Sequence, residues 1–218
     1  MVQKENNFIY LFIALLFYLI GTPLIAEIWP SPDFQLQGFI FVVTLLIAIF
    51  SCATSQRMIY VGLALGSAAL VAAVLASDRG VSLWDYVSIL SFLAFLIMAI
   101  WVAGYQVFAT FKPEVNQLVG AVCIYLLIGS IWSLLYALLY LIEPGAFTER
   151  THLAANGASR DWVYFSFITL TTVGYGDITP VSPVARALTF LEAIVGQFYL
   201  AILVAGLVGS YLARKRGD

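Results

Sequence analysis

Thr171-Thr172-Val173-Gly174-Tyr175-Gly176-Asp177, read T-T-V-G-Y-G-D, is the most informative segment of this 218-residue chain. Gly174 and Gly176 lack a Cβ and reach positive φ at little cost. Successive carbonyls, which alternate sides in an ordinary strand, can then turn toward one axis. A cation gives up its water only where several oxygens replace it at similar distances, and an extended backbone offers one carbonyl per residue. Thr172 adds a hydroxyl at the inner end of the row. Val173 and Tyr175 are expected to point their side chains outward into supporting protein. No charge precedes Asp177, so an ion would meet dipoles and not a trap.

The surrounding composition places this segment in a bilayer. The chain is 62% hydrophobic and only 10% charged, with a mean hydropathy of +0.98, outside the soluble globular range. A net charge of -2 gives no reason to expect a nucleic-acid partner. Cys52 and Cys123 lie in apolar runs, where a thiol acts as a small hydrophobe, and neither a disulfide framework nor a metal spacing is expected. A span needs roughly 20 apolar residues, and the charges leave six such windows: 8–26, 34–53, 58–76, 83–104, 115–142 and 183–212. Turn residues Pro30, Ser31, Pro32 and Asp33 follow the first window and residues 77–80 the third, while Pro113 precedes the fifth.

T-V-G-Y-G resembles the selectivity filter of the tetrameric potassium channels. The likeness is most specific over residues 166–180, S-F-I-T-L-T-T-V-G-Y-G-D-I-T-P, and extends over residues 115–218. It implies an all-α membrane protein of six transmembrane helices, with a re-entrant pore helix and filter between the fifth and sixth. Residues 1–114 would form a four-helix scaffold and residues 115–218 the pore domain. K+ would bind at Thr172, Val173, Gly174 and Tyr175, with Gly176 completing the filter. Thr171, Asp177, Tyr164 and Thr169 would support it. Asp161 is expected to cap a pore helix over 162–171, whose C-terminal dipole favours a cation below the filter. Gly196 lies twenty residues beyond Gly176, the spacing at which the family carries a gate hinge. Its other reading is close helix packing, a surface that Ala201, Ala205 and Gly209 continue.

Departures from the family pattern concern the filter's support. Ile168 occupies a position where some members carry a glutamate, so Asp177 lacks that partner, and Tyr164 can donate to it instead. Phe165 stands where many members have tryptophan and offers no donor to Tyr175, which leaves Thr169 as the candidate. These changes leave selectivity alone and bear on filter inactivation, in a direction the sequence does not fix.

Lysine and arginine placement sets orientation. With the N-terminus cytoplasmic, Lys4, Arg57, Lys112 and Arg214, Lys215 and Arg216 lie inside, and Arg79, Arg150 and Arg160 outside. Both termini are then cytoplasmic, in the plasma membrane. A cleavable signal peptide ending near Ala26 is a competing reading, although Leu24 and Ala26 form a poor cleavage site. The fourth window carries no arginine row: from Leu83 to Phe111 the one charge is Asp85. Each elementary charge moved is worth about 2.3 kcal/mol per 100 mV, so no voltage sensor is expected. Gly62 and Gly66 have G-x-x-x-G spacing and read as close helix packing, making the first four spans scaffold.

Glu192, inside the last window, is a candidate intramembrane modulator. It can hydrogen-bond near the pore helix, respond to pH, or pair with Arg186. The Arg214, Lys215, Arg216 cluster reads as a topology anchor or a lipid contact. His152 reads as a solvated loop residue, with an external proton sensor as the alternative. The chain ends at Asp218, leaving no room for a cytoplasmic ligand-binding domain within it.

One filter per chain cannot surround an ion, so a homotetramer is expected, with K+, the bilayer and three further copies as partners. The function implied is passive potassium conduction, with no cofactor beyond the transported ion. A non-conducting scaffold or regulatory subunit, or a cation transporter retaining the motif, are the alternatives. No catalytic constellation is present, so the chain is not expected to be an enzyme.

Overall fold

The computed structural model describes residues 8–21, 24, 56–76, 81–109, 115–149 and 159–217. The expected second span, His152, Lys4, Arg79, Arg150 and the turns at 30–33, 77–80 and 112–114 lie outside them. In chain order the elements are α1 (Phe8–Leu16) with a π-helical turn (Phe17–Gly21), α2 (Gln56–Leu75), α3 (Leu83–Ala109), α4 (Val115–Ile142), β1 (Phe147–Glu149), α5 (Ser159–Leu170), β2 (Ile178–Pro180) and α6 (Pro183–Gly217). Among the described residues, four helical segments are long and apolar enough to cross a membrane: Gln56–Leu75, Leu83–Val107, Val115–Ile142 and Pro183–Gly206. Phe8–Gly21 is apolar but shorter.

Local chemistry sets several helix starts. At α3 the Ser82 amide donates to Asp85 Oδ2 at 2.7 Å, and the Ser82 hydroxyl reaches the same oxygen at 2.9 Å. The acid three residues in thus satisfies a donor that the helix leaves unpaired. At α6 Ser182 Oγ accepts from the Ala185 amide at 3.2 Å, with Pro183 in the first helical position, where its missing N–H costs nothing. α5 begins at Ser159 and ends at Leu170. Asp161 therefore falls within the first turn of the helix, and Thr171 lies beyond its end.

The chain falls into two compact units, Met1–Leu127 and Ile128–Asp218. In the first, the Phe8 amide donates to Asn116 Oδ1 at 2.9 Å, while Leu11, Leu15, Phe95, Leu96 and Cys123 are buried. Cys123 Sγ donates to the Phe8 carbonyl at 3.7 Å. Gly62, Gly66, Ala69 and Ala72 are the buried residues of α2. Among the described residues a Cβ added at Gly66 would meet nothing within 4 Å, although the position is buried.

In the second unit Tyr136, Leu139, Ala146, Phe147, Trp162, Phe165, Ile168 and Ala185 form one core. Its aromatic rings meet edge to face, Tyr136 with Phe147 at 5.6 Å and with Phe165 at 4.9 Å between centroids, the arrangement their quadrupoles favour. β1 and β2 pair antiparallel, Phe147 opposite Pro180, Thr148 opposite Thr179 and Glu149 opposite Ile178. The Ala146 carbonyl extends the ladder by accepting the Val181 and Ser182 amides at 2.8 and 3.2 Å. Strands of three residues are too short to show a period.

Candidate functional site

α5 hands the chain directly to residues 171–177, and its last carbonyls hold the beginning of that segment. The Phe167 carbonyl accepts the Thr171 amide at 3.1 Å, Thr169 accepts Thr172 at 2.9 Å, and Ile168 accepts both Val173 at 2.8 Å and Gly174 at 3.1 Å. The Thr171 hydroxyl adds a bond to the Phe167 carbonyl at 2.6 Å. The helix end is thereby capped by the segment it positions.

Beyond that point φ is positive at Thr172 (60°), Gly174 (54°) and Gly176 (77°). The glycines adopt this freely. Thr172 does not, because a β-branched side chain is strained in the left-handed region, and nothing in its residue type signals the conformation. An added Cβ at Gly174 or Gly176 would meet nothing within 4 Å; the backbone conformation, and not space, is what selects glycine there. Among the described residues the carbonyls of Thr172, Val173, Gly174, Tyr175 and Gly176 accept no hydrogen bond. These exposed carbonyls are left for water or an ion to satisfy.

The outward side chains do not find support within one chain: Val173 is 51% and Tyr175 74% exposed. Thr169 is buried, but within the chain it makes no bond to the Tyr175 hydroxyl, whose ring stays in the open. Tyr164 does reach Asp177, donating to Oδ2 at 2.6 Å, and the Ile178 amide donates to Oδ1 at 3.0 Å. The Tyr164 hydroxyl holds the Asp177 carboxyl below the usual carboxylate range; the Ile178 amide adds to this, and partial desolvation opposes it.

At the other end of the segment Gln197 Nε2 lies 3.4 Å from Thr172 Oγ1. The inner end of the carbonyl row thus meets a carboxamide from α6, a residue the sequence reading passed over.

Behind α5, Glu192 of α6 is fully buried. Tyr136 of α4 donates to its Oε2 at 2.5 Å, and Ser166 Oγ of α5 lies 2.5 Å from its Oε1. Of the alternatives left open by the sequence, pairing with Arg186 is excluded, because Arg186 Nε bonds the Pro180 carbonyl at 3.4 Å. Six residues separate the two along one helix, which does not bring them onto one face. Neither Tyr136 nor Ser166 was singled out as a partner. The spacing of Trp132, Tyr136 and Tyr140 along one helix face was the available signal for Tyr136.

One turn after Glu192, Gly196 lies so close to the end of α5 that an added Cβ would sit 2.2 Å from the Leu170 carbonyl oxygen. Glycine is required at 196 by this approach, and α6 continues through it without interruption. On α4, Gly129 does the same for Phe167, whose ring tip would lie 2.7 Å from an added Cβ.

Residues 115–213 match the family described as "Ion channel". Two pore potassium channel c of Oryza sativa subsp. japonica is 38% identical over 76 residues, covering 34% of this chain and 16% of the relative. Two-pore potassium channel 2 of Arabidopsis thaliana is 33% identical over 98 residues, 44% of this chain and 19% of the relative. The chain thus spans less than a fifth of the length of these two plant relatives. Protein LctB of Bacillus caldotenax is 31% identical over 111 residues, 50% of this chain and 81% of the relative. No solved structure matches the chain.

Proposed function

The chain belongs to the ion channel family, a family of channels and not of enzymes, and we propose that it is the subunit of a homotetrameric channel selective for K+. The observation that carries this reading is the row of unpartnered carbonyls from Thr172 to Gly176, entered through alternating positive φ at Thr172, Gly174 and Gly176. Four such rows around one axis would surround a dehydrated ion with oxygen at every level, replacing its water without trapping it on a fixed charge. Thr172 contributes its hydroxyl at the inner end. Selectivity for K+ is inferred from the T-V-G-Y-G sequence itself and from the potassium channels among the relatives.

Assembly into a tetramer has its own support. A chain that leaves Val173 and Tyr175 in the open, and that buries only 11% of the apolar window of α6, carries more apolar surface at its functional segment than it covers. Three further copies would cover the first, and copies and lipid together the second. In this reading the subunit has six spans with both termini in the cytoplasm of a plasma membrane protein. α5 and the segment after it form a re-entrant pore loop, and Gly196 serves as hinge as well as contact. Conduction is passive, requires no cofactor beyond the ion, and is not driven by an arginine voltage sensor.

The test is flux through the purified chain in liposomes, in K+ and then in Na+. K+ flux well above Na+ flux is expected. Equal fluxes would remove the selectivity, and a folded tetramer without flux would assign the chain to a scaffold role. Gly174→Ala and Gly176→Ala should each abolish flux with assembly retained, since the added Cβ strains the backbone without meeting a neighbour.

A further inference from the structure

Glu192 is the one charged-type side chain among the described residues that is shut off completely, 0% exposed. Its surroundings contain no cation. Tyr136 of α4 and Ser166 of α5 face it, and Thr189, one turn earlier on its own helix, faces Tyr136. Arg186 is engaged with the Pro180 carbonyl, and Asp177 with Tyr164. A bare carboxylate in such a place is costly, because neither water nor an opposite charge offsets its desolvation.

Counting hydrogens sharpens the point. Ser166 Oγ lies 2.5 Å from Glu192 Oε1 and also 2.7 Å from the Gly129 carbonyl oxygen, which can only accept. Tyr136 approaches Oε2 at 2.5 Å. These contacts form one chain across three helices, and each link needs its own hydrogen. Tyr136 and Ser166 supply one apiece. A separate hydrogen for the remaining link is available on Glu192. With Oε1 protonated, Glu192 donates to Ser166, Ser166 donates to Gly129, and Tyr136 donates to Oε2, so that every link is filled. With a charged carboxylate, Ser166 has one hydrogen for two acceptors.

The chain of bonds also bears on the carbonyl row. Glu192 and Gly196 are one turn apart on α6, and their contacts, Ser166 and Leu170, are one turn apart on α5. The inner helix is therefore attached to α5 twice along one face, once by a hydrogen bond and once by bare backbone contact. Between those points lies Ile168, whose carbonyl holds the Val173 and Gly174 amides.

We propose that Glu192 is a protonated positioning residue that links α6, α5 and α4 behind the filter, and that loss of its proton to bulk water turns the Ser166 hydroxyl from the Gly129 carbonyl to the carboxylate, breaks the bond between α5 and α4 and stops conduction. The proposal rests on the reading of the chain as a conducting pore. Glu192 acts through Ser166 and α5, and does not touch the ion.

The experiment compares the full chain with Glu192→Gln in liposomes, measuring K+ flux from mildly acidic to alkaline pH. The infrared carboxylic-acid C=O band is followed in parallel as a difference spectrum between the two proteins. Glutamine keeps the geometry, its amide donating to Ser166 and its carbonyl accepting from Tyr136, but has no proton to lose. The expected result is loss of most wild-type flux at alkaline pH, with the Glu192 band fading over the same range, and flux in the variant that does not change with pH. Wild-type flux indifferent to pH, a variant that keeps the wild-type pH profile, or a difference spectrum with no protonated-acid band would each overturn the proposal. If wild type conducts at no pH, the conducting-pore reading fails separately. A difference band at neutral pH would then still establish the proton on Glu192, and its absence would refute it.

Discussion

Across α2 and α3 the buried stripe of α2 is Gly62, Gly66, Ala69 and Ala72, and the Ser88 hydroxyl reaches the Ala69 carbonyl at a long 3.3 Å. Behind the carbonyl row, Tyr136, Ser166 and Glu192 meet at 2.5 Å, and Gly196 admits a backbone carbonyl where no Cβ could stand. Both regions are apolar by composition. In hydrocarbon, though, burying apolar surface between helices gains little, and association depends on shape and on oriented polar contacts. Among the described residues α2 leaves room at Gly66, whereas the second unit uses contacts that fail if one atom is added or removed. The second arrangement is the one expected where a backbone segment must be held to a fraction of an ångström.

This contrast can be broken by substitution. The largest effect is expected for Gly196→Ala, because the colliding atom is backbone and cannot rotate away: a cost of about 3 kcal/mol, read as a large drop in the thermal midpoint of the detergent-solubilised protein. An unchanged midpoint would mean that α5 and α6 separate freely, and the contrast would disappear. Ser166→Ala leaves Glu192 Oε1 and the Gly129 carbonyl without their shared hydroxyl and is expected to cost about 2 kcal/mol, measured the same way.

Tyr164→Phe tests the rim of the site. The Asp177 carboxyl is lowered by the Tyr164 hydroxyl, so its contribution to stability is present above the ordinary carboxylate value and fades as pH falls through the lowered one. Wild type should therefore exceed the variant in midpoint at neutral pH, with the difference closing in acid. A pH-independent difference would show that the tyrosine acts by packing alone. The smallest effect is expected at Gly66, where alanine meets nothing within 4 Å and should leave stability unchanged or raise it by up to about 1 kcal/mol through helix propensity. A clear loss there would show that α2 packs as exactingly as the second unit.

Legibility from sequence followed the range of the interactions. The fifth apolar window, 115–142, has the same limits as α4, because a long run without charges leaves a helix as the only way to satisfy its backbone in lipid. Positive φ at Gly174 and Gly176 was readable from residue type. The same conformation at Thr172 was not, since threonine argues against it and only the α5 carbonyls impose it. Glu192 stood out as a carboxylate in an apolar run, but its partners are 56 and 26 residues away, and no local pattern links such positions. The sequence admitted both hinge and packing at Gly196; the proximity of Leu170 needed coordinates.

The short ladder between β1 and β2 has a consequence for the whole segment from α5 through Asp177. By pairing Phe147 with Pro180 and Glu149 with Ile178, it stitches the chain together before α5 and again after the carbonyl row. Everything between hangs in a closed noose of backbone. Slack cannot be drawn past the ladder without unpicking the stitch, so on the side of Gly176 the row is tied to β1 within a few residues. Deformation from that side must be taken up sideways, by whatever stands against Val173 and Tyr175.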